Sequence, residues 1–425
     1  LDTRSTEAET SPRSPGLSRV FAVGLGNALE FYDFLTFSFF AVQIGHCFFP
    51  ATQTKRGLLY SLATFGVGFV TRPVGGFVLG RYADKKGRKP AMLLSFVLMG
   101  IAITGLALTP PFERIGIVAP ILLVVFRLVQ GFALGGEVGP STAYLIEIAP
   151  ADKRGLYVSL QYMTQDLSVL VAGLVGYVLS VWLEPRALDA WGWRAAFLFG
   201  ALIVPVGLVI RSRLPESLEQ TESADLPPPA KVPLSLAVAG VATLGSIAVT
   251  LYVSDYVATF AQDRLHLPAS DGLLAIVVLG LSTLVIDPVS GLLSDRIGRR
   301  PVMLTGATLL TLSAVPIFYL LVSHPSALTL CVATGVLGTL AGFTASPALV
   351  SLTESFPHRV RAGTLGTVYA VALALFGGTT QFAVKWLTDF TGSGLAPAFY
   401  VTGAMLLGLV AMSTFSETAP VKIKR

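Results

Sequence analysis

The chain has 425 residues, of which 53% are hydrophobic and only 13% charged, with a mean hydropathy of +0.71. Soluble domains carry about a quarter charged residues, so that class is excluded, and too little polar chain is left over for a large soluble catalytic domain. The net charge of +5 is spread over loops without a continuous patch, which argues against nucleic acid as a partner.

In chain order, residues 1–19 form a polar tail with no apolar stretch, so no cleavable signal is expected and the first span serves as the targeting signal. The absence of an initiator Met suggests trimming. Apolar runs predict helices over 20–49, 57–82, 90–109, 117–139, 155–183 and 194–211. A polar segment, 212–232, follows, holding Glu216, Glu219, Glu222, Asp225 and the run Pro227-Pro228-Pro229, and reads as a solvated linker. Six more runs cover 233–261, 271–294, 301–322, 327–350, 363–388 and 395–415, and 416–425 is a second short tail. The expectation is an all-α integral membrane fold of twelve transmembrane helices, arranged as two six-helix halves at 20–211 and 233–415. Lys and Arg concentrate on one side, above all in Arg81, Lys85, Lys86, Arg88 and Lys89 and in Arg296, Arg299 and Arg300, which places both tails and the linker in the cytoplasm.

The halves repeat one another. Gly80-x-x-x-Asp84-x-x-Gly87-Arg88-Lys89-Pro90 recurs as Gly291-x-x-x-Asp295-x-x-Gly298-Arg299-Arg300-Pro301, 211 residues on. Glu147-x-x-Pro150-x-x-x-Arg154 recurs as Glu354-x-x-Pro357-x-x-x-Arg361, 207 residues on. With these paired motifs the chain resembles the major facilitator superfamily over nearly its whole length. Gly26-Asn27-x-x-Glu30-x-x-Asp33-Phe34, Arg72-Pro73-x-Gly75 and Arg127-x-x-Gln130-Gly131-x-x-x-Gly135-Gly136-Glu137 look like its metabolite:proton symporter branch. Gln161-x-x-x-Gln165 and Phe376-Gly377-Gly378 are most similar to the citrate and tricarballylate carriers of that branch. The resemblance implies a secondary carrier for organic acids or zwitterionic osmolytes.

Charges placed inside the hydrocarbon narrow the site. Asn27, Glu30 and Asp33 share a sector of the first span, and a carboxylate there costs several kcal/mol unless paired, hydrated or protonated. Two nearby acids favour proton exchange by one of them; the competing reading is a hydrogen-bond stripe between helices. Arg127 lies mid-span in helix four, and the resemblance implies that it pairs with Asp33. Arg72 then offers a planar fork for an anion, against the alternative of a structural ion pair with Glu30. Gln161, Gln165 and Ser168 share a face of helix five and suit carboxylate or hydroxyl groups, or else act as packing glue; Asp166 points away from Gln165 by about 100°. Tyr252, Asp255 and Tyr256 share a face of helix seven, with Asp255 expected to sit wet near the outer end. Asp287-Pro288 is expected to interrupt helix eight, and Asp287 is left open as a second titrating group.

The repeated motifs suit a latch. Asp84, Arg88, Glu147, Arg154, Asp295, Arg299, Glu354 and Arg361 could pair across the halves when the cytoplasmic side is shut, although a loop that merely sets topology would explain the Lys and Arg. The expected function is proton-coupled symport of a small di- or tricarboxylate across a bacterial inner membrane, with Asp33, Glu30 and Arg127 coupling the proton and Arg72, Asn27, Gln161, Gln165 and Tyr252 binding substrate. Sodium is left open as the coupling ion, a zwitterion such as proline or a betaine is the alternative substrate, and a monomer is expected to suffice. No enzyme is expected: His46, His266, His324 and His358 sit near helix ends without HExxH, GxSxG or metal spacing, Cys47 and Cys331 stand far apart, and no cofactor or metal is called for.

Overall fold

A computed structural model describes Ala28 and residues 31–49, 54–86, 88–135, 138–212 and 232–423. Asn27, Glu30, Glu137 and most of the 212–232 linker lie outside these residues, as do the side chains of Asp84 and Arg88.

The apolar runs are helices: α1 (31–39, continued as Ala41–Phe48), α2 (Thr54–Val70, resumed at Arg72–Lys86), α3 (Arg88–Leu108), α4 (Val118–Leu134, resumed at Val138–Ile148), α5 (Arg154–Trp182), α6 (Trp193–Ser212), α7 (Leu234–Asp263), α8 (Ala269–Ile297), α9 (Arg299–Ser323), α10 (Ala327–Ser355), α11 (Arg361–Ala372, a wide turn at Leu373–Gly377, then Gly378–Thr391) and α12 (Ala396–Ser413). Eight described helices are long and apolar enough to cross a bilayer, and shorter apolar helices lie at Leu93–Leu108 and Val118–Leu134. With α1 and α6 these make twelve. At 1.5 Å per residue the 29-residue helices α5, α8 and α10 reach roughly 43 Å, more than the hydrocarbon thickness, so their ends stand clear of it.

Two boundaries differ from the sequence reading. The fourth span was expected to stop near residue 139, but Val138–Ile148 carries it on, because Pro140 sits in the first turn of that segment, where a missing N–H costs nothing. Asp287-Pro288 does not interrupt α8, which runs unbroken from Ala269 to Ile297. A proline inside a membrane helix is tolerated when neighbouring helices enclose the turn it loosens, and α8 is packed between α5 and α10.

Burial sorts the helices into layers. α1 and α7 are buried almost all round, whereas Ile101 on α3, Leu202 on α6, Leu312 on α9 and Leu407 on α12 are exposed and apolar, which is what a face turned to lipid requires. The α1–α6 and α7–α12 halves meet where α5 packs on α8, α2 and the second segment of α4 on α11, and α1 on α7. Glycines permit these approaches. A Cβ on Gly131 of α4 would lie 1.6 Å from the carbonyl oxygen of Gly68 on α2, and one on Gly291 of α8 would lie 2.6 Å from that of Gly155 on α5. Such spacings bring backbones into contact and fix the register of facing helices.

Candidate functional site

Asp33 is buried on α1, and its Oδ2 accepts a hydrogen bond from Gln130 Nε2. Gln130 Oε1 in turn accepts from Arg127 Nη1 at 2.7 Å, and Arg127 Nη2 donates to the Phe65 carbonyl at 3.2 Å. Acid and guanidinium are therefore joined through an amide, not directly as the resemblance implied. The reason is geometric: Arg127 and Gln130 are one helical turn apart on α4, so the glutamine reaches α1 while the arginine turns along the helix. Arg127 is fully enclosed, its guanidinium 4.3 Å from the Phe34 ring centroid and 4.6 Å from that of Phe37. Among the described residues Asp33 Oδ1 has no hydrogen-bond partner, which leaves a lone pair that a proton could take.

Arg72, buried at the start of the second segment of α2, lies over the rings of Phe34 and Phe69 at 4.4 and 4.2 Å. It lines a small chamber with Phe31, Leu134, Gly135, Val138 and Tyr369. A larger chamber between the halves shares Phe31 and Tyr369 with it and adds Tyr162, Gln165, Asp166, Tyr252, Asp255 and Thr283 among apolar residues of α1, α5, α7, α8 and α11. Gln165 and Tyr252 thus stand on the central chamber and Arg72 on its neighbour. Gln161 instead accepts a hydrogen bond from Ser141 of α4 at 3.1 Å, and Ser168 donates to the carbonyl of Ala28 on α1, so the polar face of α5 serves packing as well as the chamber.

The acids of the central chamber overturn one expectation. Asp255 does not sit wet near a helix end: it is 5% exposed and faces the chamber, because the turn of α7 that carries it, with Val253, Ser254, Tyr256 and Val257, is buried among neighbouring helices. Asp166 also lines the chamber beside Gln165, and its carboxyl lies within hydrogen-bond reach of Asp287 on α8. Tyr162, Gln165, Asp166 and Val169 share one face of α5 about 100° wide, with Gln165 and Asp166 at its two edges, so that separation does not take Asp166 off the chamber.

At the end of the bundle that carries the repeated motifs, Asp295 accepts hydrogen bonds from the backbone N–H groups of Gly155 and Leu156 at 2.8 and 3.0 Å, so a carboxylate of one half satisfies the open N-terminus of a helix in the other. Arg299 holds Asp295 at 2.5 Å and Glu354 at 3.3 Å, Arg154 reaches Glu354 at 3.8 Å, and His358 faces Glu147 at 3.4 Å. Arg361 lies close enough to Glu147, Arg154 and Glu354 to join this cluster electrostatically. Sequence reading missed Glu417, whose carboxylate accepts from the backbone N–H of Arg299 and Arg300 at 2.9 and 3.0 Å, and Thr418, which donates to Glu354 at 2.5 Å. Their only signal was an acid just beyond the last span. At the opposite end Gln381 donates to Ser38 at 2.6 Å and Gln43 to Gln262 at 2.9 Å, so the halves are also joined there.

The Major Facilitator Superfamily model matches residues 31–371 and 246–424. A citrate-proton symporter of Klebsiella pneumoniae is 35% identical over 402 residues, covering 93% of this chain and 90% of that protein. An alpha-ketoglutarate permease of Escherichia coli K12 is 35% identical over 410 residues, covering 94% and 92%, and a proline/betaine transporter of the same organism is 31% identical over 423 residues, covering 94% and 83%. Among solved structures, the crystal structure of a D-xylose-proton symporter aligns with a TM-score of 0.77 at 19% identity, over 95% of this chain and 98% of that one.

Proposed function

Given that the chain belongs to the Major Facilitator Superfamily, we propose that it is a secondary carrier that moves a small organic acid, a di- or tricarboxylate such as citrate, together with protons by alternating access. The multi-pass bundle sits in a bacterial cytoplasmic membrane with both termini and the 212–232 linker inside, as the Lys and Arg distribution supports.

The observation that supports this reading is Arg72 in a cavity that adjoins the central chamber and shares Phe31 and Tyr369 with it. A carboxylate entering the chamber loses water, and a buried planar donor can replace those hydrogen bonds while the stacked rings hold the fork in place. Gln165 and Tyr252 complete a neutral shell, with Gln161 and Asn27 as further binders. The citrate and alpha-ketoglutarate carriers among the relatives support the substrate class. For coupling, Asp33 takes the proton on its Oδ1, Gln130 transmits the change to Arg127, and Glu30, three residues earlier in the sequence, is a second acid. Asp295, Arg299, Glu354, Arg154, Glu147 and Arg361, with Asp84 and Arg88 of the first motif, act as the latch of the cytoplasmic end.

One observation favours a zwitterion. Three tyrosines and the carboxyls of Asp166 and Asp255 line the chamber, a setting suited to an ammonium group, and the proline/betaine transporter is among the relatives. Uptake into proteoliposomes under an imposed pH gradient, with unlabelled organic acids and betaines competing, separates the two. Competition by di- and tricarboxylates supports the first reading; competition by betaines alone overturns it in favour of the second.

A further inference from the structure

Asp166 and Asp287 belong to different halves, yet their carboxyls meet in the middle of the α5–α8 contact. They are 8% and 2% exposed. Among the described residues Asp166 Oδ2 and Asp287 Oδ1 have no hydrogen-bond partner. The groups that face the pair are Tyr162 from α5, Asp255 from α7, Thr283 from α8 itself and Ser346 from α10. All are acidic, phenolic or hydroxylic, and among the described residues no Arg or Lys acts on either carboxyl. Ser346 Oγ is fully buried and satisfied by no well-aligned acceptor.

Two largely buried carboxylates in contact, with no cation beside them among the described residues, repel each other strongly, and one oxygen of each lacks a hydrogen-bond partner although Thr283 and Ser346 stand beside the pair. One proton between them removes both faults: it cancels one charge and supplies the O–H that one acid donates to the other. Packing leaves little room for a larger ion, since a Cβ added to Gly342 of α10 would already lie 2.7 Å from Asp287 Oδ1.

We propose that Asp166 and Asp287 form a second proton site, straddling the two halves, that holds one shared proton while the halves are closed and releases it when α5 and α8 part at the motif end. Asp287 is one turn from Gly291, whose backbone touches Gly155 at that end. Parting there admits water to both carboxyls, the hydrogen bond between them breaks, and the proton leaves to water, leaving two hydrated carboxylates. The site is distinct from Asp33, which lies within one half and connects to Arg127. Asp255, facing Asp166 across the chamber, is the group through which a bound substrate senses the pair. The inference rests on the symport reading for its role in transport but not for the existence of the bound proton.

The test uses the full chain in lipid, in two measurements. Infrared difference spectra on a pH change, in H2O and D2O, read protonated carboxyl groups directly. The wild type should show a carboxylic acid band that disappears in both Asp166→Asn and Asp287→Asn and survives in Asp33→Asn. Absence of such a band, or its removal by sodium at constant pH, overturns the proposal. In the second measurement, reversal potentials give protons per substrate. Asp287→Asn and the double variant Asp166→Asn/Asp287→Asn, whose amides can hydrogen-bond to each other without a proton, should transport with one proton fewer, and Asp287→Glu should restore the ratio. An unchanged ratio in a variant that still exchanges substrate overturns the proposal. If substrate moves with no protons at all while the band persists, the symport reading fails and the proton site stands.

Discussion

Two sets of buried acids face the middle of this bundle, and they are balanced in different ways. Asp33 lies within the first half and is tied through Gln130 to Arg127, so its charge has a nearby counterweight. Asp166 and Asp287 lie on opposite sides of the contact between halves, with Asp255 in front of them and no cation near among the described residues. A charge balanced inside one half feels the halves move only indirectly, here through Arg127, whose partner Phe65 packs on Tyr252 of the other half. A pair of like charges across the moving contact feels it directly, because its environment changes from dry to wet as the contact opens. Depth in the membrane alone therefore does not say what an acid does; the partner and the half it belongs to decide.

The comparison can be broken by removing the counterweight. Arg127→Leu should leave Asp33 and Gln130 uncompensated and lower stability by about 3 kcal/mol, measured by thermal unfolding in detergent. A loss as small as that of a lipid-facing substitution would mean that the rings around Arg127, not Asp33, hold it. Next in size is Arg72. Arg72→Lys keeps the charge and loses the planar fork, so apparent affinity for the best carboxylate should fall at least about tenfold, near 1.4 kcal/mol, with Arg72→Gln weaker still. Unchanged binding by a folded Arg72→Gln would make Arg72 a packing residue among Phe34 and Phe69. At the latch, Asp295→Ala removes an acceptor from the α5 N-terminus and a partner from Arg299, and should shift the closed equilibrium by about 1 kcal/mol. The measurement is the labelling rate of single cysteines placed along the chamber at the motif end, expected to rise. The smallest effect is expected for Asp287→Asn, where an amide N–H replaces the acid O–H as donor to Asp166; stability should change by less than about 1 kcal/mol. A drop as large as that of Arg127→Leu would show that Asp287 is ionised and otherwise paired.

Much of this arrangement is legible in sequence because the bilayer imposes it. Runs of apolar residues long enough to span appear as helices, and the repeated Asp-x-x-Gly-Arg motifs appear at one end, with Asp295 and Arg299 in contact. Arg127 and Asp33 stand out as charges at depth, but the amide between them requires knowing that α1 and α4 approach at the level of Gln130; the signal, an Arg and a Gln one turn apart, was present and unread. Asp255 was misplaced although the end of α7 was placed within two residues, because its burial depends on the neighbouring helices that enclose it against the chamber. The Asp166–Asp287 contact depends on the antiparallel register of α5 on α8, which Gly155, Gly291 and Gly280 set by backbone contact. No periodicity within one helix carries that information. Glu417 shows the same limit, since capping of α9 by the last residues is a tertiary contact without a motif.

The most direct test of the proposed coupling is Asp33→Asn in proteoliposomes, compared in two assays on one preparation. Exchange of labelled for unlabelled substrate needs no net proton movement, whereas accumulation against a gradient under an imposed pH difference does. The account predicts that exchange persists while accumulation is lost, because an asparagine can neither take up nor give back the proton that Asp33 Oδ1 accepts. Concentrative uptake at the wild-type level by this variant would contradict it and remove Asp33 from the coupling path.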